Sequence, residues 1–160
     1  MTKTFETTID MDSKTCTQVI AILNQQLADT FDLYTQTKQA HWNVKGMNFM
    51  QLHELFDKLA ETVFPYVDVI AERALILGGT ALGTARMSAK ASRLEEMAEY
   101  FKDEREAVRM LVDRYAALAK STRKAIDECA DIGDADTADL FTAISRSLDK
   151  SRWFLEAHIQ

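Results

Sequence analysis

The sequence predicts an all-α fold, a four-helix bundle with a long connection between helices two and three that has room for a short helix. Three observations point there. Apolar residues recur at i, i+3 and i+4 through four long stretches. Five Gly and one Pro in 160 residues leave little material for turns, so the elements must be few and long. The stretches are separated by three connections, of which only the middle one is long, a pattern that suits antiparallel helices packed around one core.

The first helix is expected from about Ser13, as N-cap, to His41. Ile20, Leu23, Leu27, Phe31 and Tyr34 trace its apolar stripe, which continues through Lys38 to His41. Trp42 follows, and residues 43–48 read as a turn. The second helix is expected from about Phe49 to Leu77, stopped by Gly78-Gly79, with Pro65 predicted to kink it. Residues 80–91 read as a loop with room for one short helical turn. Ser92-x-x-Glu95 resembles a capping box, so the third helix starts either there or nearer Lys102, the later start being preferred. It runs to about Ala130 on an apolar face of Val108, Leu111, Val112, Tyr115, Leu118 and Ala119. Residues 131–136 form the last connection. The fourth helix covers about Thr137 to Ala157, with Leu140, Phe141, Ile144, Leu148 and Phe154 facing inward. Residues 13–160 thus read as one domain behind a short tail, residues 1–12, that is not basic.

Composition narrows the function classes. Apolar residues at 47% and charged residues at 28% describe a soluble globular chain. The start has no basic segment followed by an apolar core, and no run of apolar residues is long enough to span a bilayer, so a cytoplasmic protein without a membrane partner is expected. A net charge of −6 disfavours general nucleic-acid binding and suits cation attraction. Cys16 and Cys129 are far apart and neither belongs to a C-x-x-C pair, so both are expected as reduced thiols.

The chemistry concentrates in the second helix. His53, Asp57, Asp68 and Glu72 repeat the i, i+4 spacing twice and fall within a sector of about 100°. Imidazole with carboxylate is a ligand set for divalent first-row metals such as iron or manganese. The two pairs are centred roughly 22 Å apart along the axis, so no single ion reaches both. Two copies of the helix, packed antiparallel about a twofold axis near residues 62 and 63, bring each pair against the other pair of the neighbour. Two equivalent sites then form between subunits. The competing reading is a solvated acidic face. Flanking Leu52, Leu55, Phe56, Leu59, Val63, Val67, Val69 and Ile70 favour a metal, because unpaired charge beside apolar surface is costly. Other chemistries fail on spacing. His53-Glu54 lacks the second histidine of a zinc-protease motif, Glu-x-x-His pairs are missing, and residues 131–139 lack the order of a calcium loop. There is no Gly-rich phosphate loop and no serine nucleophile with a base at useful spacing.

The run His41-Trp42-Asn43-Val44-Lys45-Gly46, then Leu52-His53-Glu54-x-x-Asp57, Asp68-x-x-x-Glu72-Arg73 and Leu77-Gly78-Gly79 resembles the Dps family, the mini-ferritins. The likeness extends through Asp113-Arg114-Tyr115-Ala116, Arg123-Lys124-Ala125-Ile126 and Asp136-Thr137-Ala138-Asp139, and so covers roughly residues 13 to 160. It implies a ferritin-like bundle whose ferroxidase centre takes His41, His53 and Asp57 from one subunit and Asp68 and Glu72 from its twofold mate. It further implies dinuclear iron at the subunit interface and a homododecameric cage. Such a cage oxidises Fe(II), preferentially with hydrogen peroxide, and stores ferric mineral, so protecting against oxidative damage. Trp42 beside the centre is implied as an electron donor, with a packed aromatic as the equal alternative. Asp136 and Asp139 are implied as pore-lining residues, Asp136 serving equally as a cap of the last helix.

Two departures bear on function. Pro65 interrupts a helix that the resemblance implies to be free of proline. DNA-binding relatives carry a Lys-rich tail, whereas Lys3, Lys14 and the terminal ammonium are balanced here by Glu6, Asp10 and Asp12, and residues 156–160 add no basic tail. DNA binding therefore does not follow from the resemblance, while a cytoplasmic location leaves room for nucleoid association. Two alternatives stand beside the ferroxidase: a DNA-binding nucleoid-compaction protein with only secondary metal binding, and a bundle that buffers metal without turnover.

Overall fold

The computed structural model describes residues 4–160, which contain five helices and no strand: α1 (Ser13–Asn43), α2 (Phe49–Ile76), α3 (Ala85–Ala91), α4 (Glu104–Ile132) and α5 (Ala135–Glu156). The helix starts follow from side chains that satisfy free backbone N–H groups. Asp12, not Ser13, caps α1, its Oδ1 accepting from the Lys14 and Thr15 amides at 3.0 Å each. Of the two possible starts for the third long helix the later one is used. Asp103 Oδ1 accepts from the Glu106 amide at 2.8 Å, while Glu106 Oε2 accepts from the Lys102 amide. Ser92 instead ends α3, the short helix of the long connection, and its hydroxyl donates to Asp32.

The helix α2 runs through Pro65 without a break. Proline removes the amide that Glu61 O would otherwise accept, but Glu61 and Pro65 are both exposed, so water can serve that carbonyl. The helix stops where Gly78 adopts φ 81°, a left-handed conformation. The N-terminal segment lies across this end. The Phe5 amide donates to Gly78 O at 2.7 Å, and a Cβ on Gly78 would stand 2.6 Å from Phe5 O.

Helix α1 packs on α2 and α4 on α5, giving two antiparallel hairpins that meet chiefly through α1 and α4, while α3 lies on α1. Leu23 and Leu33 of α1, Phe56 of α2, Leu111 and Tyr115 of α4 and Phe141 of α5 are fully buried between them. The expected stripes hold with shifts at their ends. Leu33 and Leu155 are buried, whereas Phe31, Tyr34 and Phe154 are half-buried. The long connection is fixed by charge. The buried Asp29 carboxylate accepts from the Arg93 amide at 2.8 Å and from its guanidinium at 2.6 Å, and buried Arg114 donates to the carbonyls of Glu95 and Glu96.

Candidate metal centre

The corner between α1 and α2 brings two histidines into one unit. His41 lies in the last turn of α1, where carbonyls lack helical partners, and His53 lies in the second turn of α2. Each imidazole donates its Nδ1–H to the other residue's backbone carbonyl, at 2.8 Å from His41 and 2.9 Å from His53. The rings stack with centroids 3.8 Å apart. A carbonyl can only accept, so Nδ1 carries the proton in both rings, and the lone pair of each neutral ring is on Nε2. This is the tautomer of a histidine that ligates a metal through Nε2.

The turn that sets this corner is held from α4. Glu104 accepts from the Asn48 amide at 3.0 Å and from its side-chain amide at 2.6 Å. Gly46, at φ 147°, leaves room for that carboxylate, since a Cβ there would lie 2.0 Å from Glu104 Oε2.

Asp57 is one turn beyond His53. Lys38 of α1 donates to its Oδ1 at 2.5 Å. That hydrogen bond, against partial desolvation and with the charges of Lys38, His41 and His53 adding to it, holds the carboxyl below the usual aspartate range. Trp42 is largely exposed, and Lys38 Nζ stands 5.8 Å from the centroid of its ring. Lys38 was visible in the sequence only as a member of the α1 stripe. Its place beside Asp57 depends on how α1 and α2 pack.

Asp68 and Glu72 stand on the other half of α2, both exposed and without a hydrogen bond or ion pair among the described residues. One chain therefore pairs His41 with His53, sets Asp57 one turn beyond against Lys38, and keeps Asp68 and Glu72 on the other half of α2. Among the described residues no group of three or more His, Cys, Asp or Glu side chains could hold a metal within one chain. Of the apolar neighbours, Leu52, Phe56, Leu59, Val63 and Ile70 are buried, whereas Val69 is exposed.

Asp136 and Asp139 are exposed on the first turns of α5. Asp136 is not the cap. That place belongs to Asp134, which accepts from the Thr137 amide at 2.9 Å and is buried against Arg73 at 2.8 Å. An arginine on α2 selects which aspartate caps α5, and local sequence carries no record of that choice.

Two helical hairpins joined by one long crossover, with imidazole and carboxylate presented from the second helix, define a ferritin-like bundle. Residues 20–160 match the Ferritin-like domain family. The chain is 45% identical over 158 residues to the DNA protection during starvation protein of Agrobacterium fabrum (strain C58 / ATCC 33970), covering 99% of this chain and 98% of that one. Among solved structures, DpsC from Streptomyces coelicolor superposes with a TM-score of 0.94 at 26% identity, covering 99% of this chain and 92% of its own. A Dps protein from Vibrio cholerae O1, described as a member of a broad superfamily of ferritin-like diiron-carboxylate proteins, gives 0.89 at 26%, covering 99% of both chains. The chain belongs to the Dps family.

Proposed function

We propose that this protein oxidises Fe(II) at centres shared between two protomers and stores the ferric product inside a closed homo-oligomer, a dodecamer by family likeness. The observation that carries this reading is the division of the donors. In this reading His41, from the end of α1, with His53 and Asp57 supplies one half-site, and Asp68 and Glu72, on the other half of α2, supply the second. An antiparallel neighbour sets His53 opposite the partner's Glu72 and Asp57 opposite the partner's Asp68. Each interface then holds two equivalent centres.

Iron is the substrate that suits this donor set. Carboxylates favour the harder Fe(III) over Fe(II) and so lower the Fe(III)/Fe(II) potential, while the two Nε2 atoms bind either state. With hydrogen peroxide as oxidant, two iron(II) ions give one electron each, the O–O bond breaks, two protons are taken up and two waters leave. No hydroxyl radical is released. In this reading Trp42, which is exposed, gives an electron when only one iron is present. Exposed Asp136 and Asp139, repeated around a symmetry axis, would concentrate Fe(II) at an entrance.

The test is stoichiometric and mutational. About two Fe(II) should be oxidised per peroxide. The double variant H53A/D57A should lose fast oxidation while keeping the mass of the wild-type particle. Oxidation at the wild-type rate in that variant would refute the assignment. DNA is not part of this reading. With a net charge of −6, binding should be weak, and tight salt-sensitive retention of DNA in a gel-shift assay near pH 7 would contradict that expectation.

A further inference from the structure

The outward sector of α2 holds more than metal donors, and its remaining residues bear on how two copies meet. Within about 100° of arc the sector also carries Met50, Glu61, Phe64 and Leu75. Met50, Phe64 and Leu75 are 55%, 51% and 48% exposed, so three large apolar side chains on one helix face are about half uncovered within the chain. A twofold axis passing between Thr62 and Val63 maps this sector onto itself. It sets Met50 against the partner's Leu75 and Glu61 against the partner's Phe64, with the donor pairs in between.

Phe64 has a distinctive setting. Its ring leans on Tyr34, centroids 4.8 Å apart, and forms a ridge between two grooves. One groove, of about 480 Å³, lies among Leu27, Val67, Asp68 and Ala71. The other, of about 420 Å³, lies among Tyr34, Lys38, Asp57, Ala60 and Glu61. Ala60, with only a methyl group, leaves depth in the second groove next to Glu61, where the register places the partner's ring.

We propose that Phe64 is the interlocking knob of the dimer: each Phe64 enters the partner's groove between Tyr34, Asp57 and Glu61, and closes the Asp57–Lys38 pair off from bulk water. The occupant of the groove is a second copy of this chain. The inference rests on the shared-centre reading and adds the residue that fixes register and dryness there. An aromatic ring beside Asp57 lowers the local dielectric around a cation held by the carboxylates, which strengthens its binding. The interface thus completes the centre twice over, with Asp68 and Glu72 as donors and with Phe64 as the seal.

Register is tested directly by cross-linking. Chains carrying E61C and chains carrying F64C, distinguished by size and coexpressed, should form a mixed disulfide dimer on mild oxidation. The native Cys16 and Cys129 are buried and do not compete. K58C paired with F64C should not cross-link. No E61C–F64C product, or preferential K58C–F64C product, overturns the proposal. Separately, F64E should shift the particle towards the 18.1 kDa protomer in light scattering while its helical circular dichroism is retained, and F64L should assemble as wild type. An F64E protein with wild-type mass also overturns it. The two readings fail separately. Cross-linking without His53-dependent oxidation removes the metal reading alone, and His53-dependent oxidation without the cross-link removes this one alone.

Discussion

His41 and His53 fix each other through their backbones, so neither ring can turn its Nε2 away without losing a hydrogen bond. Cys129 shows the opposite use of burial. Desolvation first, then the nearby charges of Asp134 and Glu128, push its thiol from 9.0 up to about 12. The folded state therefore favours the neutral thiol. Its contribution to stability is complete below the unfolded value of 9.0 and is lost as the pH rises towards about 12. The loss of stability between those values should be smaller in C129A than in wild type, as read by urea unfolding at each pH. Equal slopes would show that Cys129 does not ionise with unfolding. In the native state at pH 8 the thiol should also resist aromatic disulfide reagents, which attack through the thiolate. At this scale the sequence was informative wherever helical periodicity alone decides position. His53, Asp57, Asp68 and Glu72 share a face because 3.6 residues make a turn, whatever packs around them. The partnership of Lys38 with Asp57, and of His41 with His53, lies between helices and leaves no local pattern.

Helix boundaries illustrate how tertiary contacts choose between equal local signals. Ser92-x-x-Glu95 reads as a capping box, yet α4 starts after Asp103, which accepts from the Glu106 amide, while Asp32 of α1 holds the Ser92 hydroxyl. At α5 the choice of Asp134 over Asp136 is made by Arg73, whose guanidinium also donates to Thr137 Oγ1 at 2.9 Å. Arg73 adjoins Glu72, so this buried pair ties the C-terminal half of α2 to the start of α5. Removing the carboxylate leaves an arginine buried without its anion, which typically costs about 3–5 kcal/mol. D134A should lose about that much in urea unfolding. D134N, which can still accept from the Thr137 amide, should fall between D134A and wild type. Wild-type stability in D134A would mean that Arg73 finds water once the pair is broken. The long helices themselves were legible, because four amphipathic stretches with so few glycines admit little else, whereas α3 is a seven-residue helix where residues 80–91 read as a loop with room for one short turn.

On the scale of the assembled particle, a site divided between protomers makes metal binding and association one equilibrium. An ion that binds only the joined state stabilises it by RT ln(1 + [L]/Kd), about 2.7 kcal/mol per site at a hundredfold excess over Kd. Zn(II) serves as the probe because it accepts the same imidazole and carboxylate donors without redox chemistry. Zn(II) should raise the unfolding temperature of wild-type protein and slow its dissociation on dilution. Both effects should be absent in H53A/D57A, which removes donors but leaves Met50, Phe64 and Leu75 to hold the interface. The linkage must also run in reverse: as protein is diluted through the point where protomers separate, the apparent affinity for Zn(II) should fall by at least tenfold. An intrachain site predicts no dependence on protein concentration. Affinity that stays constant across that dilution would therefore place the metal within one protomer. That arrangement is at odds with the separation of His53 from Glu72 along α2, roughly 28 Å at 1.5 Å per residue.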